Sequence, residues 1–76
     1  MIEITSITIS EHSISGNANN FESGDIIILN LDHIHYAATL SAVGHFDFGI
    51  EEYSYPFLVE ILDEYRNILY SETVEG

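Results

Sequence analysis

The feature that most constrains this chain is its one-sided charge. Thirteen Asp and Glu residues are set against a single cation, Arg66, so the formal net charge at pH 7 is −12 over 76 residues. Repulsion among the carboxylates opposes any compact state. The apolar content, 46%, is nevertheless that of a globular protein and not of a disordered acidic tail. We therefore predict one acidic domain over residues 1–76, with a thin stability margin.

The absence of cysteine limits the compartment and the cross-links open to the chain. Disulfides and thiolate metal sites are excluded, and small secreted domains usually depend on one or the other. The N-terminal stretch carries Glu3 where a signal peptide has positive charge. No apolar run approaches the ~20 residues of a membrane helix. These features predict a cytoplasmic protein that does not contact a membrane.

Two N-terminal stretches have the pattern of β-strands. Residues 2–10 alternate between apolar and polar side chains, and a slip in phase between Ile4 and Ile7 indicates a bulge. Residues 26–31, with the sequence IIILNL, form an apolar run that is typical of a central strand covered on both faces. A β-sheet is therefore expected in this half of the chain.

The stretch between these strands, residues 13–25, contains Gly, Asn and Ser at close intervals. Because these residues favour turns, we predict a connecting loop. Ile14 and Phe21 are expected to fix its two ends to the core.

The stretch 34–43 fits two structures. As a strand it alternates regularly, whereas as a helix it would begin at a cap, Asp32, and end at Gly44. We favour the strand, because residues 30–33 then form a hairpin turn between two apolar runs. A short strand over residues 45–48 is expected to follow.

The C-terminal segment has the periodicity of an amphipathic helix. Pro56 suits a first helical turn, and the apolar residues after it recur at helical spacing. They are Phe57, Leu58, Ile61, Leu62, Tyr65, Ile68 and Leu69. The chain is therefore predicted to be an α+β domain, a three- or four-stranded antiparallel sheet with one C-terminal helix packed on one face.

That helix would carry an acidic ridge. Glu60, Asp63 and Glu64 fall on its outward side, and carboxylates one turn apart lie about 5–6 Å from each other, close to the spacing of phosphates along a nucleic-acid strand. Further acids flank the segment, and Tyr70 would supply an aromatic anchor. The predicted partner-binding residues are Glu51, Glu52, Glu60, Asp63, Glu64, Tyr70 and Glu72.

The ridge also has a simpler interpretation, a solvated helix face that binds nothing. The near absence of Lys and Arg favours a contact surface, since domains that are merely soluble mix both signs of charge. Such a surface repels nucleic acid and attracts proteins that present rows of Lys and Arg. Arg66 itself is expected to pair with Asp63, three residues earlier in the helix.

A second group of residues raises the question of a metal. On paired strands, His33, His35, His45 and Asp47 would bring three imidazoles and a carboxylate together, a set that suits zinc. The spacing matches no metal-site signature, and polar residues on an exposed sheet face are the favoured interpretation. We therefore expect no metal and no other cofactor.

Catalytic motifs are absent from the sequence. It has no phosphate-binding glycine loop, no nucleophile elbow, no Cys and no Lys. Paired carboxylates on the open surface of a small domain lack a pocket that would shift their pKa values. We predict that the protein is not an enzyme.

A small, cysteine-free, strongly acidic α+β domain with an outward acidic helix resembles the DNA-mimic inhibitors of bacteriophages and other mobile elements. This class includes some anti-CRISPR proteins, anti-restriction proteins and the uracil-DNA glycosylase inhibitor. The resemblance is one of size, charge and shape, and it carries over no individual residue. It implies an inhibitor that blocks the nucleic-acid site of a DNA- or RNA-handling enzyme, first of all a CRISPR effector, without itself touching nucleic acid.

Two other classes of protein fit the same sequence. An immunity protein or antitoxin would also be a small acidic partner of a basic protein, in that case a nuclease toxin. A structural or assembly module would use its apolar surface, for example as a homodimer through an exposed strand edge, with the charge serving solubility. Neutralising Glu60, Asp63 and Glu64 together would separate mimicry from these alternatives.

Overall fold

The computed structural model describes residues 1–51 and 54–75, and its regular structure in that range is β-strand alone. The seven strands are β1 (Glu3–Ile9), β2 (Ser13–Asn19), β3 (Ile26–Leu31), β4 (Ile34–Thr39), β5 (His45–Gly49), β6 (Phe57–Asp63) and β7 (Ile68–Val74). The predicted α+β fold is therefore wrong, since the described residues contain no C-terminal helix.

The strands form two antiparallel sheets that enclose one core. A three-stranded sheet has the order β1-β2-β5, and a four-stranded sheet has the order β4-β3-β6-β7. The chain changes sheet between β2 and β3, between β4 and β5, and between β5 and β6. Seven strands divided between two sheets make a β-sandwich, in which loops cluster at the two ends.

The core consists of the inward side chains of both sheets. The three-stranded sheet contributes Ile14, Ala18, Phe46 and Phe48, and the four-stranded sheet contributes Ile27, Leu29, Leu31, Phe57, Val59 and Ile61. These side chains belong to a single buried cluster. Burial of apolar surface between the sheets is therefore the main term that offsets the charge repulsion.

Strand β3 is central in its sheet, as predicted, but only one of its faces is covered. It pairs with β4 on one side and with β6 on the other. Ile27 and Leu29 are buried, whereas Ile26 is exposed and Ile28 is half-buried. The expectation of burial on both faces is wrong, because the sandwich has only two layers.

Strand β1 has the bulge that its sequence predicts. The register against β2 shifts between Ile4 and Ser6. Gly16 lies close to this region, and a methyl group there would overlap the carbonyl of Ser6 and come within 2.8 Å of the Phe46 ring. The close approach of β1 to β2 therefore requires glycine at this position.

The predicted loop over residues 13–25 is wrong in its first half, which is strand β2. The Ile, Gly and Ala residues of β2 point inward, and they alternate with Ser and Asn. These turn-forming residue types adopt a strand because β1 and β5 pair with β2 on its two sides. The prediction that Ile14 and Phe21 reach the core is confirmed.

The strand interpretation of residues 34–43 is confirmed by β4, which ends at Thr39. Strands β3 and β4 are joined by a two-residue turn, in which Asp32 has a φ of 53°. The short strand predicted from His45 is also confirmed, but β5 belongs to the other sheet.

The segment predicted as a helix is a β-hairpin of β6 and β7. On β6, Phe57, Val59 and Ile61 point into the core, while Leu58 and Leu62 lie on the opposite face. Because both phases of β6 are apolar, the same residues also fit a helical stripe. Pairing with β3 and β7 satisfies the backbone of β6 on both sides, and this tertiary contact overrides the local periodicity.

The turn between β6 and β7 is held by Asp63. Its Oδ1 accepts hydrogen bonds from the backbone N–H groups of Tyr65 and Asn67, each at 2.9 Å, and its Oδ2 accepts one from Nδ2 of Asn67 at 2.8 Å. Arg66 has a left-handed φ of 68°. A side chain that collects these donors stabilises a chain reversal in place of a continuing helix.

Candidate protein-binding surface

The face of the four-stranded sheet that points away from the core, called here the outer sheet face, is unusually apolar. An antiparallel sheet normally presents polar side chains to solvent on such a face. Here Ile68 is 57% exposed, Ile26 43% and Leu58 38%. The apolar residues of this face are Ile26, Ile28, Ala37, Leu58, Leu62 and Ile68. Apolar side chains gathered on one face in this way indicate an interaction surface.

A row of polar residues crosses this apolar face. The register aligns His35, Asn30, Glu60 and Ser71 on four adjacent strands. Nδ2 of Asn30 donates a hydrogen bond to Oε1 of Glu60 at 3.1 Å. Oδ1 of Asn30 is buried and accepts no hydrogen bond from the described residues. An unsatisfied acceptor of this kind costs about 1–3 kcal/mol, so a donor that reached it would be bound favourably.

A shallow depression of about 490 Å³ lies beside this polar row. It is lined by Ile28, Asn30, His35, Leu62 and Arg66. The Oδ1 of Asn30 and the nearby carboxylate of Glu60 are both acceptors, and Ile28 and Leu62 supply the apolar part of the lining. A long side chain with an aliphatic stem and a cationic end, Lys or Arg, has the chemistry that suits this combination.

Arg66 is the only cation of the sequence, and it lines the same depression. The predicted pairing of Arg66 with Asp63 is wrong, because the Asp63 carboxylate is buried and engaged by the turn. Among residues 1–51 and 54–75, Arg66 makes no ion pair with any carboxylate. The negative charge of the described chain is therefore not neutralised internally.

The structure distributes the predicted partner-binding residues over several places. Glu60 lies on the outer sheet face, Asp63 and Glu64 lie at the β6–β7 turn, and Tyr70 and Glu72 lie on β7. Glu51 follows β5, and Glu52 lies outside the described residues. A single acidic ridge is not formed, because the helix that would have aligned these side chains is a hairpin.

Asp63 was predicted to bind a partner, but in the structure its carboxylate holds the β6–β7 turn. The side-chain hydrogen bond from Asn67, supported by the backbone N–H groups of Asn67 and Tyr65, holds the pKa of Asp63 below its ordinary value, and burial opposes this shift. The carboxylate is thus ionised but turned toward its own backbone. Asp63 is a structural residue of the turn and is not available to a partner.

Tyr70 and Glu72 do lie together, on the side of β7 that faces the other sheet. The Tyr70 hydroxyl donates a hydrogen bond to Oε1 of Glu72 at 2.6 Å. This bond to an anion, together with burial, raises the pKa of Tyr70. The pair therefore forms one fixed polar unit, an aromatic ring with a carboxylate held beside it.

The histidines considered as metal ligands are separated by the fold. His35 points to the outer sheet face and His33 lies in the β3–β4 turn, whereas His45 and Asp47 lie on β5 in the other sheet. The expectation that paired strands could gather them is wrong, because β4 and β5 do not pair. Within the described part of the chain, no group of three or more His, Cys, Asp or Glu side chains could hold a metal ion.

Sequence reasoning missed the outer sheet face. Its signal was present in IIILNL and FLVEIL, where the second phase of each strand is apolar although a half-buried strand needs only one apolar phase. Comparison with protein-family models, curated proteins and solved structures finds no match to this chain. In the described residues there is no helix of the length and hydropathy needed to span a membrane.

Proposed function

We propose that this chain acts by binding a basic protein through the outer sheet face, and not by catalysis. The observation that carries the proposal is the exposed apolar face around Ile68 and Leu58, with the acceptors of Asn30 and Glu60 at its centre. Apolar anchors supply lasting affinity, and complementary charge supplies fast encounter and partner choice.

The net charge of the chain indicates which kind of partner binds to this face. The chain carries −12 with one cation, so a second copy would bring two strongly negative surfaces together. A partner rich in Lys and Arg gains from the same field, and its cationic side chains match the acceptors in the depression. Because the chain has no cysteine, a cytoplasmic location fits the proposal.

Nucleic-acid mimicry is the more specific form of this proposal. In that form the partner is a DNA- or RNA-handling enzyme, with a CRISPR effector as the first candidate and a nuclease toxin as the second. The excess of carboxylates supports mimicry. The predicted acidic ridge does not support it, because the segment predicted to be a helix is a β-hairpin. The contact is now assigned to Glu60 together with the apolar residues around it.

The test is capture of partners from a nuclease-treated bacterial lysate by the immobilised protein, followed by elution with salt or duplex DNA. A double variant, Leu58→Thr with Ile68→Thr, removes the apolar anchors but keeps residues that favour strands. The matched control is Val43→Thr, because Val43 is 81% exposed and lies in the turn between β4 and β5.

We expect a basic protein that is retained by the wild type and the Val43→Thr control, is released by salt, and is lost with the double variant. Release by duplex DNA would support mimicry within this proposal. A partner retained equally by the double variant, or one that is not basic, would contradict the proposal.

A second candidate, a structural module, is favoured by the path of the chain through the fold. Met1 lies near the β6–β7 turn, in a depression that Tyr65 and Asn67 also line. Val74 lies near the β1–β2 turn, in a cleft shared with Glu11. Met1 and Val74 thus lie near opposite ends of strand β6, a path that suits units placed in line.

Two copies joined in tandem would test the structural candidate by small-angle X-ray scattering. A spacer role predicts that the maximum dimension grows by nearly the 33 Å length of one unit. A compact, folded-back pair of domains would count against it. The Leu58→Thr, Ile68→Thr variant should give the same scattering, because linear stacking does not use the outer sheet face.

A further inference from the structure

The two open sides of the sandwich differ. On one side β4 and β5 lie close together, and the turn that joins them is anchored by hydrogen bonds from Leu40 N–H to Asp25 O at 2.8 Å and from Ser41 N–H to His45 O at 3.0 Å. On the other side β1 and β7, also the outermost strands of their sheets, contact each other less extensively than β4 and β5 do. The sandwich is therefore more open at β1–β7 than at β4–β5.

The open side forms a continuous cleft, called here the β1–β7 cleft. Its two parts measure about 580 and 360 Å³. Ile9 and Glu72 line both parts, and further residues of β1 and β7 line one part each. The inward residues of these strands are Ile4, Ile7, Ile9, Tyr70 and Val74, which pack against the core but remain only half-buried. The cleft thus has an apolar floor between two strand edges.

The backbone of β1 is suited to pair with an added strand. Ser10 N–H donates to Ser13 O across the β1–β2 turn at 2.9 Å. Because hydrogen-bonded and non-hydrogen-bonded positions alternate along an antiparallel pair, the N–H and C=O groups of Ile7 and Ile9 point away from β2. Exposed edge groups of this kind are templates for another strand.

The charge of the cleft indicates the sequence that it would accept. Glu11 and Glu72 line it, and none of the described residues that line it is Lys or Arg. The Tyr70 hydroxyl holds the Glu72 carboxylate in place. A strand that pairs with β1 in this cleft would meet the apolar floor with β-branched side chains and the carboxylates of Glu11 and Glu72 with cationic side chains.

We infer that the β1–β7 cleft binds an extended basic segment of a protein partner as an added β-strand, independently of the outer sheet face. The segment pairs with the free edge of β1 and alternates Lys or Arg with β-branched residues. Backbone pairing supplies affinity, and the carboxylates select the cationic positions.

The test is an NMR titration of the ¹⁵N-labelled protein with a synthetic peptide in which lysine and valine alternate. A peptide of the same composition with lysines and valines in separate blocks is the control for charge alone. Two variants with the same change in charge are compared: Glu72→Lys in the cleft, and Asp47→Lys on the exposed side of β5. Melting curves establish that both variants remain folded.

We expect shifts along β1 and β7, slower amide exchange at Ile7 and Ile9, and weaker binding of the block peptide. Glu72→Lys should raise the Kd about tenfold and Asp47→Lys less than about twofold. Equal binding of the two peptides, shifts on the outer sheet face instead, or no binding of the alternating peptide would overturn the inference. These results neither support nor contradict binding through the outer sheet face, which is tested separately by the Leu58→Thr, Ile68→Thr variant.

Discussion

The two faces of the four-stranded sheet are built from the same strands, but only one of them is covered by the other sheet. On β3 and β6 the inward residues, such as Leu29 and Ile61, are fully buried in the core. The outward residues of the same strands, such as Ile28 and Leu62, are also apolar but are covered by no second layer. One face therefore stabilises the fold, and the other presents apolar surface that folding does not require.

This difference shows why composition alone misleads for this chain. An apolar content of 46% is compatible with a large core, yet part of it lies on the outside of a sandwich that is too small to cover it. The apolar residues of the core offset the charge repulsion, and those of the outer sheet face leave an apolar surface exposed to solvent. Matched substitutions on the two faces test this difference.

The free energy of unfolding should change most at one of two neighbouring residues of β3. Leu29→Ala should destabilise the protein by about 2–5 kcal/mol, because it opens a cavity in the core. Ile28→Ala, on the outer sheet face, should cost less than about 1.5 kcal/mol. Urea denaturation followed by circular dichroism measures both. Equal losses would mean that the two faces are buried alike.

The next effect compares two acids of β6. Asp63→Asn should lower the melting temperature by several degrees at neutral pH, because it weakens the hydrogen bonds that hold the β6–β7 turn. Glu60→Gln should change the melting temperature little, since Glu60 is half-buried and has one side-chain partner. Thermal melts of both variants beside the wild type provide the measurement.

The pH dependence of the Asp63 effect follows from its lowered pKa. A carboxyl group whose pKa is lower in the folded state stabilises fully above its unfolded pKa and loses that contribution as pH falls through the folded pKa. The difference between wild type and Asp63→Asn should therefore be constant near neutral pH and shrink below about pH 4. A difference that grew in acid would contradict this assignment.

A smaller effect is expected at Arg66, which has a left-handed φ and lines the outer-face depression. Arg66→Gly should raise the free energy of unfolding by up to about 1 kcal/mol, because glycine adopts this conformation without strain. It should also strengthen binding of a basic partner, because it removes the only cation from the contact. A variant that is less stable would show that the Arg66 side chain packs favourably.

The smallest effect is expected from salt, which screens the −12 charge without altering the packing of either face. The melting temperature should rise by a few degrees between low and moderate ionic strength. A melting temperature that stayed constant or fell with added salt would mean that charge repulsion does not limit stability. The two faces would then differ in packing alone.

Sequence patterns predicted part of the β-structure: strand β1 with its bulge, the hairpin of β3 and β4, and the short strand β5. Strand β2 and the β6–β7 hairpin were missed. The Ser, Asn and Gly residues of β2 favour turns, and the apolar residues of β6 also fit a helical stripe, so the local patterns indicated other structures. For β6, the register that sets Leu29 beside Ile61 spans more than thirty residues, and no local period contains it.

The candidate site could be predicted only in part. The excess of acids and Glu60 as an accessible carboxylate followed from the sequence, whereas Asp63 was assigned to a partner and holds a turn instead. The outer sheet face needed the topology, because Ile28, Leu62 and Ile68 come together only when β3, β6 and β7 lie side by side. Charge is a property of composition, but an apolar face is a property of the fold.

Binding through the outer sheet face is tested most directly by the affinity of the captured basic partner for three forms of the protein, measured by titration calorimetry. We predict that Leu58→Thr with Ile68→Thr weakens binding about thirtyfold or more, as expected for central apolar anchors. Val43→Thr, at an exposed site in the β4–β5 turn, should leave the Kd unchanged. Equal affinity for all three forms would show that the outer sheet face is not the binding surface.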